Sequence, residues 1–266
     1  MEVAIDDPDD PRLADYRELT DPAARRRREG TELFVAEGVT AVTRLLVSGH
    51  RVRSVLVTPP ARARLARALD DLDAPIYVAP KAVLAATVGF DLHRGAIAAA
   101  DRRPLPALED VVAGATSLAV LEGLNDPENL GAVARSARAL GIEALVLDPT
   151  CIDPYTRRTV RVSMGEILML RWCRGAHHEW PGDVFEALHA SGFETWAMTP
   201  ETDSDSIWQL TPPERLAVVL GAEGPGLSRQ ALDAAARRVR LPIDPEVDSL
   251  NVAAAAAVTF AVIGRP

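Results

Sequence analysis

LAVVLGAEGPGLSRQALDAAARRVRLPIDPEVDSLNVAAAAAVTFAV, residues Leu216–Val262, changes pattern three times. Leu216–Leu220 is a short apolar run of the size of a buried strand. It ends at Gly221, and Gly224, Pro225 and Gly226 follow. A strand that runs into glycines brings bare backbone N–H and C=O groups within reach of a ligand. A second strand is expected over Arg238–Ile243, closed by Pro242 and Pro245. Ser249-Leu250-Asn251 then opens an alanine-rich helix, with Ser249 as the expected N-cap. Two strand ends and a helix start thus fall close together. In an open α/β sheet, ligands bind at such carboxyl ends.

Working outward, the upstream chain repeats the strand–helix alternation. Ser117–Leu121 reads as a strand feeding a loop over 122–129 that is dense in Asn, Asp and Pro. Leu130–Leu140 reads as a helix stopped by Gly141, with Leu130, Val133, Ala134 and Ala137 on one face and Arg135 and Arg138 on the other. Strands are expected at Ala144–Leu147, Ile167–Trp172 and Thr195–Met198, and helices at Asp183–Ala190 and in the basic stretch Asp153–Val162. Six strands alternating with helices predict an α/β unit over 109–266 with a largely parallel sheet covered on both faces.

The N-terminal part predicts a smaller α/β domain over 12–100. Its strands are Phe34–Gly38, Val55–Val57 and Ile76–Val78, and its helices Val39–Ser48, Ala61–Leu72 and Lys81–Val88. Residues 1–11 read as an acidic solvated arm and 101–108 as a linker.

Hydrophobic residues make up 48% and charged residues 25%, as in an ordinary globular protein. No run is apolar enough to span a membrane, and the acidic start carries no export signal, so a cytoplasmic protein is expected. Cys151 and Cys173 lack metal-ligand spacing and are read as reduced thiols. The net charge of −9 divides unevenly: −5 over residues 1–10, +5 over 11–103 and −9 over 104–266. A basic N-terminal part that includes Arg25–Arg28 is compatible with phosphate contacts.

Several chemistries are excluded by pattern. Gly224 and Gly226 are followed by Arg229 where a dinucleotide fingerprint has its third glycine. The phosphate-loop and nucleophile-elbow patterns do not occur. His177 and His178 are adjacent, which is poor ligand spacing, so no metal is expected. What remains is a backbone-rich pocket for an organic cofactor, beside Asn129 and an arginine able to hold a phosphate or a sugar hydroxyl.

Four segments carry a family resemblance. Asn125-x-Pro127-x-Asn129-Leu130-Gly131-x-x-x-Arg135 resembles the first motif of the SpoU (TrmH-type) RNA ribose methyltransferases. Leu220-Gly221-Ala222-Glu223-Gly224-x-Gly226-Leu227 resembles the second, and Leu241-Pro242-Ile243 with Ser249-Leu250-Asn251-Val252 the third. Arg161-x-Ser163-Met164-Gly165 is similar to a segment between the first two. Phe34–Gly38 lies in a part similar to the ribosomal-protein-like substrate domain of many members. Pro245 departs from the pattern, standing where many members have glycine.

The resemblance implies a trefoil-knotted methyltransferase fold, S-adenosylmethionine as cofactor and a homodimer. It implies methyl transfer to a ribose 2′-hydroxyl of RNA, with rRNA preferred over tRNA because of the extra N-terminal domain. The alternatives are the same reaction on tRNA and a catalytically silent RNA-binding assembly protein. By motif position, Gly221, Gly226, Leu241, Ile243 and Leu250 are the expected cofactor contacts. Asn129, Arg135, Glu223, Ser249 and Asn251 are expected to serve the reaction. Two tests follow at this level. Gly221→Val should push a side chain into the cofactor pocket, and deletion of 1–103 should weaken RNA binding while sparing the cofactor.

Overall fold

The computed structural model describes residues 1–17, 19, 32–92 and 94–264, so Arg25–Arg28 lie outside the described residues. The chain divides into two compact units, Met1–Pro104 with Pro154–Met169, and Leu105–Asp153 with Leu170–Pro266.

The first unit is built on five strands: β1 Glu2–Ala4, β2 Leu33–Glu37, β3 Val52–Val57, β4 Ile76–Val78 and β5 Ala96–Asp101. Their order is β1-β4-β3-β5-β2. β4 is parallel to β1 and β3, and β5 is antiparallel to β3 and β2. Two strands escape sequence reading. Glu2–Ala4 is not a free arm, since Val3 pairs with Tyr77 and Ile5 is buried; the apolar residues are too few to show a period between the acids. Ala96–Ala100 are alanine-rich, which favours helix, but ladders on both sides and full burial override that preference. The helix expected over 61–72 is two short ones, Pro59–Arg64 and Ala66–Leu69, broken at Leu65.

Pro154–Met169 completes this unit. The predicted basic helix shortens to Arg157–Val162, capped by Thr156, whose hydroxyl accepts from Thr159 N–H. Tyr155 stacks on Phe34 with ring centres 4.7 Å apart. Arg157 and Arg161 both donate to the Glu37 carboxylate, at 2.6 and 3.3 Å, and Arg44 donates to Glu166 at 2.7 Å. The strand expected over Ile167–Trp172 is two elements: a 3-10 turn, Glu166–Met169, and a strand that begins only at Arg171. The apolar run is divided because Ile167 and Leu168 are buried in the first unit and Trp172 in the second.

The second unit has seven strands: β6 Ser117–Glu122, β7 Ala144–Leu147, β8 Arg171–Arg174, β9 Glu194–Met198, β10 Asp205–Ser206, β11 Leu216–Gly221 and β12 Arg237–Arg240. Their order is β10-β12-β9-β11-β6-β7-β8, and every pair is parallel. The sheet therefore holds one strand more than expected, the two-residue β10. β12 stops at Arg240, short of the predicted Ile243; Pro242 has no N–H to offer a ladder. The central strands β6, β7 and β11 are buried along nearly their whole length, as unbroken apolar runs in a parallel sheet must be. Each fully buried Leu or Val there contributes about 1.5–3 kcal/mol. β6, β7 and β8 step one way across the sheet, and β9, β11 and β12 fill the other side. The order thus reverses between β6 and β11. Over the sheet, helix Val252–Ile263 packs against helix Pro127–Ala139.

Candidate active site

The site forms at the carboxyl ends of β9, β11 and β12, beside the reversal point. β11 ends at Gly221, and the loop after it closes on itself: Gly226 N–H donates to Ala222 C=O at 3.1 Å. Gly224 and Gly226 have φ of +85° and +69°, a region that L side chains rarely enter. Gly221 is needed for a different reason. A β-carbon there would lie 2.3 Å from the Gly226 carbonyl carbon, so the loop folds back onto it. The side chain of Gly221→Val would strike this loop, and that corrects the expectation that it would enter the pocket.

The loop borders a cavity of about 410 Å³, within the range of small-molecule sites. Gly221, Gly226, Leu241, Ile243 and Leu250 line it, together with Glu223, Ser249 and Asn251. Met198, Thr199 and Pro200 close it from β9. These three were missed in the sequence, although the rule applied to Leu216–Leu220, that the carboxyl end of a strand faces the ligand, would have found them. Among the described residues, the backbone N–H groups of Leu241, Ile243 and Leu250 have no protein partner. An apolar cavity edged by free backbone groups suits the flat ring and polar edge of a heterocyclic base.

Pro245 fits its place. Val247 N–H donates to Asp244 C=O at 3.0 Å, closing a turn in which Pro245 is the second residue and needs no N–H.

Polar groups meet at the rim. Asn251, rather than the predicted Ser249, caps helix Val252–Ile263: its Oδ1 accepts from Ala253 and Ala254 N–H at 2.9 and 3.2 Å. The cap decides which end of the amide faces the site. Asn251 Nδ2 is turned toward the cavity mouth, where it donates to Asn129 Oδ1 at 3.1 Å and to Glu223 Oε1. One amide thus joins all three motif segments. Asn129 is not in the loop that the sequence predicts over 122–129. The helix begins at Pro127, two residues earlier, with Asp126 as cap, so Asn129 stands in the first turn. Ser249 lines the cavity, and its hydroxyl has no partner among the described residues.

Arg135 does not line the cavity. It is exposed on helix Pro127–Ala139, six residues beyond Asn129, with no ion-pair partner among the described residues. Its guanidinium is free for an anion from solvent. Cys151 and Cys173 are buried, and burial pushes the Cys173 thiol up to about 12 and the Cys151 thiol higher still, so neither is a nucleophile. Among the described residues no group of His, Cys, Asp and Glu converges as metal ligands, and no helix is long and apolar enough to cross a membrane.

An α/β unit with such a cavity at its strand reversal is a small-molecule-binding unit of the doubly wound kind. Residues 117–261 match the SpoU rRNA Methylase family. Over 260 residues the chain is 44% identical to the uncharacterized tRNA/rRNA methyltransferase Rv0881 of Mycobacterium tuberculosis, covering 96% of this chain and 88% of the relative. The chain belongs to the SpoU methylase family. It is also 26% identical to the 23S rRNA (guanosine(2553)-2′-O)-methyltransferase RlmP of Bacillus subtilis, over 93% of both chains. Its fold is similar to that of an AdoMet-bound rRNA methyltransferase from Sinorhizobium meliloti, with a TM-score of 0.81, 22% identity, and 98% and 97% of the two chains covered.

Proposed function

We propose that this protein transfers a methyl group from S-adenosylmethionine to a ribose 2′-hydroxyl of RNA. The observation that carries the reading is the Asn251 amide, which ties Asn129 and Glu223 together at the mouth of a glycine-bordered cavity. A silent assembly protein would not need these three side chains in register. The substrate is rRNA rather than tRNA: RlmP, which is named for 23S rRNA, matches over nearly the whole of both chains. The first unit is the RNA-binding part, of the ribosomal-protein-like kind, and the protein works as a homodimer in the cytoplasm. The segment that follows β12 lines the cavity and leads into a helix packed on Pro127–Ala139, which supports a trefoil knot at this point.

S-adenosylmethionine supplies an electrophilic methyl group when bound. The chain's own task is to hold the ribose oxygen in line and to favour the negative charge that develops on it. Leu241, Ile243 and Leu250 hold the cofactor through backbone groups, with Gly221 and Gly226 giving room for close approach. Asn129, Glu223, Ser249 and Asn251 complete the pocket on the side of the reacting centre. Arg135 grips the phosphate of the target nucleotide and stabilises the oxyanion. It does not act as a base, because guanidinium stays protonated in proteins. The proton leaves late, to water or to the phosphate. Calorimetric titration of the full chain with S-adenosylmethionine tests the reading. Saturable binding to one site per chain, weakened by Ile243→Arg, is expected. The absence of binding would remove the cofactor and with it the reaction.

A further inference from the structure

We infer that Glu122, at the carboxyl end of β6, is a positioning residue that holds the Gly221–Leu227 loop in its cofactor-ready shape; the inference rests on the S-adenosylmethionine reading of the cavity. Glu122 is paired in register with Gly221, the first residue of the loop. It is 8% exposed and does not line the cavity. Its Oε1 accepts from Trp180 Nε1 and from Ser228 Oγ, both at 2.8 Å, and its Oε2 accepts from Ser228 N–H at 2.7 Å. Ser228 Oγ in turn accepts from Ala231 N–H at 3.1 Å and so starts helix Arg229–Ala234. One buried carboxylate therefore fastens the far end of the loop beside its near end. Between these anchors the loop is tied to itself where Ala222 pairs with Gly226, whose N–H donates to Ala222 C=O at 3.1 Å.

A loop rich in glycine has many shapes available, and the cofactor binds only one of them. Apparent affinity falls in proportion to the share of molecules that hold that shape. Glu122 raises that share without touching cofactor or RNA. A glutamine cannot replace it. Trp180 Nε1–H and Ser228 N–H are donors only and face different oxygens, so an amide nitrogen at either position would meet a donor.

The test is calorimetry with S-adenosylmethionine and steady-state methyl transfer, on the full chain and on Glu122→Gln, Ser228→Ala and Trp180→Phe. Glu122→Gln is expected to raise the Kd by about tenfold or more, as for a lost bond to a charged group. Its kcat at saturating cofactor and RNA should stay at the wild-type value, a split that loss of fold would not produce. Should Glu122→Gln fail to fold, Ser228→Ala and Trp180→Phe decide, each expected to weaken binding by a smaller factor with kcat kept. Wild-type binding with an unchanged Kd in the folded variants would overturn the inference and leave the cofactor reading standing. No binding by the wild type would instead overturn that reading.

Discussion

A β-carbon on Gly221 would meet three backbone atoms of residues 226 and 227 at 2.3–2.5 Å, and backbone cannot step aside as a side chain can. Gly221→Ala should therefore displace the loop at a cost on the order of 1–3 kcal/mol, the usual range for forced overpacking. Calorimetry should show cofactor affinity falling by about tenfold to a hundredfold, since each 1.4 kcal/mol is tenfold; an unchanged Kd would mean that the loop relaxes freely. Arg135 is the opposite case. It is exposed and has no described partner, so Arg135→Ala should leave stability within about 0.5 kcal/mol of wild type. Single-turnover methyl transfer should still fall by about 100- to 1,000-fold, by analogy with a removed oxyanion donor. Arg135→Lys keeps the charge without the planar fork and should recover little; a fully active lysine variant would show that charge alone suffices. The motif residues were legible one by one because short-range patterns carry them. The hydrogen bond from Asn251 to Asn129 was not, since it joins residues 122 apart in the chain. Ser249 was misread as the cap because Ser and Asn are equally good caps two positions apart, and only Asn251 faces the Ala253 and Ala254 N–H groups.

The element that departs most from its sequence reading is Pro154–Met169. It reads as a basic helix followed by a strand, yet it folds with the first unit, where two of its arginines converge on Glu37, whose side chain is only 11% exposed. Glu37→Gln removes the charged acceptor from both and should lower stability by about 1–3 kcal/mol in urea unfolding; no change would mean that the pairs are dispensable. The same segment makes the first unit sensitive to pH. His50 lies between Ser48 Oγ at 2.8 Å and Tyr155 OH at 3.1 Å, against the edge of Phe34. Burial, helped by the Arg103 charge, lowers its pKa from 6.5 to about 4. A lowered histidine favours the neutral form in the fold. Its stabilising contribution is thus present above about pH 6.5 and is lost as the pH falls toward 4, on the order of 2 kcal/mol. Unfolding followed at pH 7.5 and pH 4.5 should show that loss, and His50→Gln should flatten it; an equal slope in the variant would assign the effect elsewhere. Periodicity could find the helix in this segment but could not say which unit it joins, because Glu37, His50 and Phe34 lie more than a hundred residues upstream.

At the scale of the molecule, the excursion of Pro154–Met169 alters what a truncation can show. Removing residues 1–103 would strip the partners of Tyr155, Val160, Ile167 and Leu168, all buried in the intact chain. The truncated protein should be cleaved within 154–169 by limited proteolysis under conditions in which the full chain resists. A truncated form as resistant as the whole would show that the segment finds other cover. The parallel sheet was legible because buried strands and amphipathic helices alternate with the right lengths. The mixed sheet was only half legible, since two of its strands carry no β pattern of their own. The central claim is ribose methylation of RNA, and 2′-O-methylation protects the adjoining phosphodiester from alkali because the attacking hydroxyl is capped. The direct measurement is a map of alkali-resistant positions in the total RNA of the source organism, with and without the gene. The account predicts that protection disappears at a defined rRNA nucleotide and returns when the wild-type gene is restored, but not with Arg135→Ala; identical maps in the two strains would contradict it.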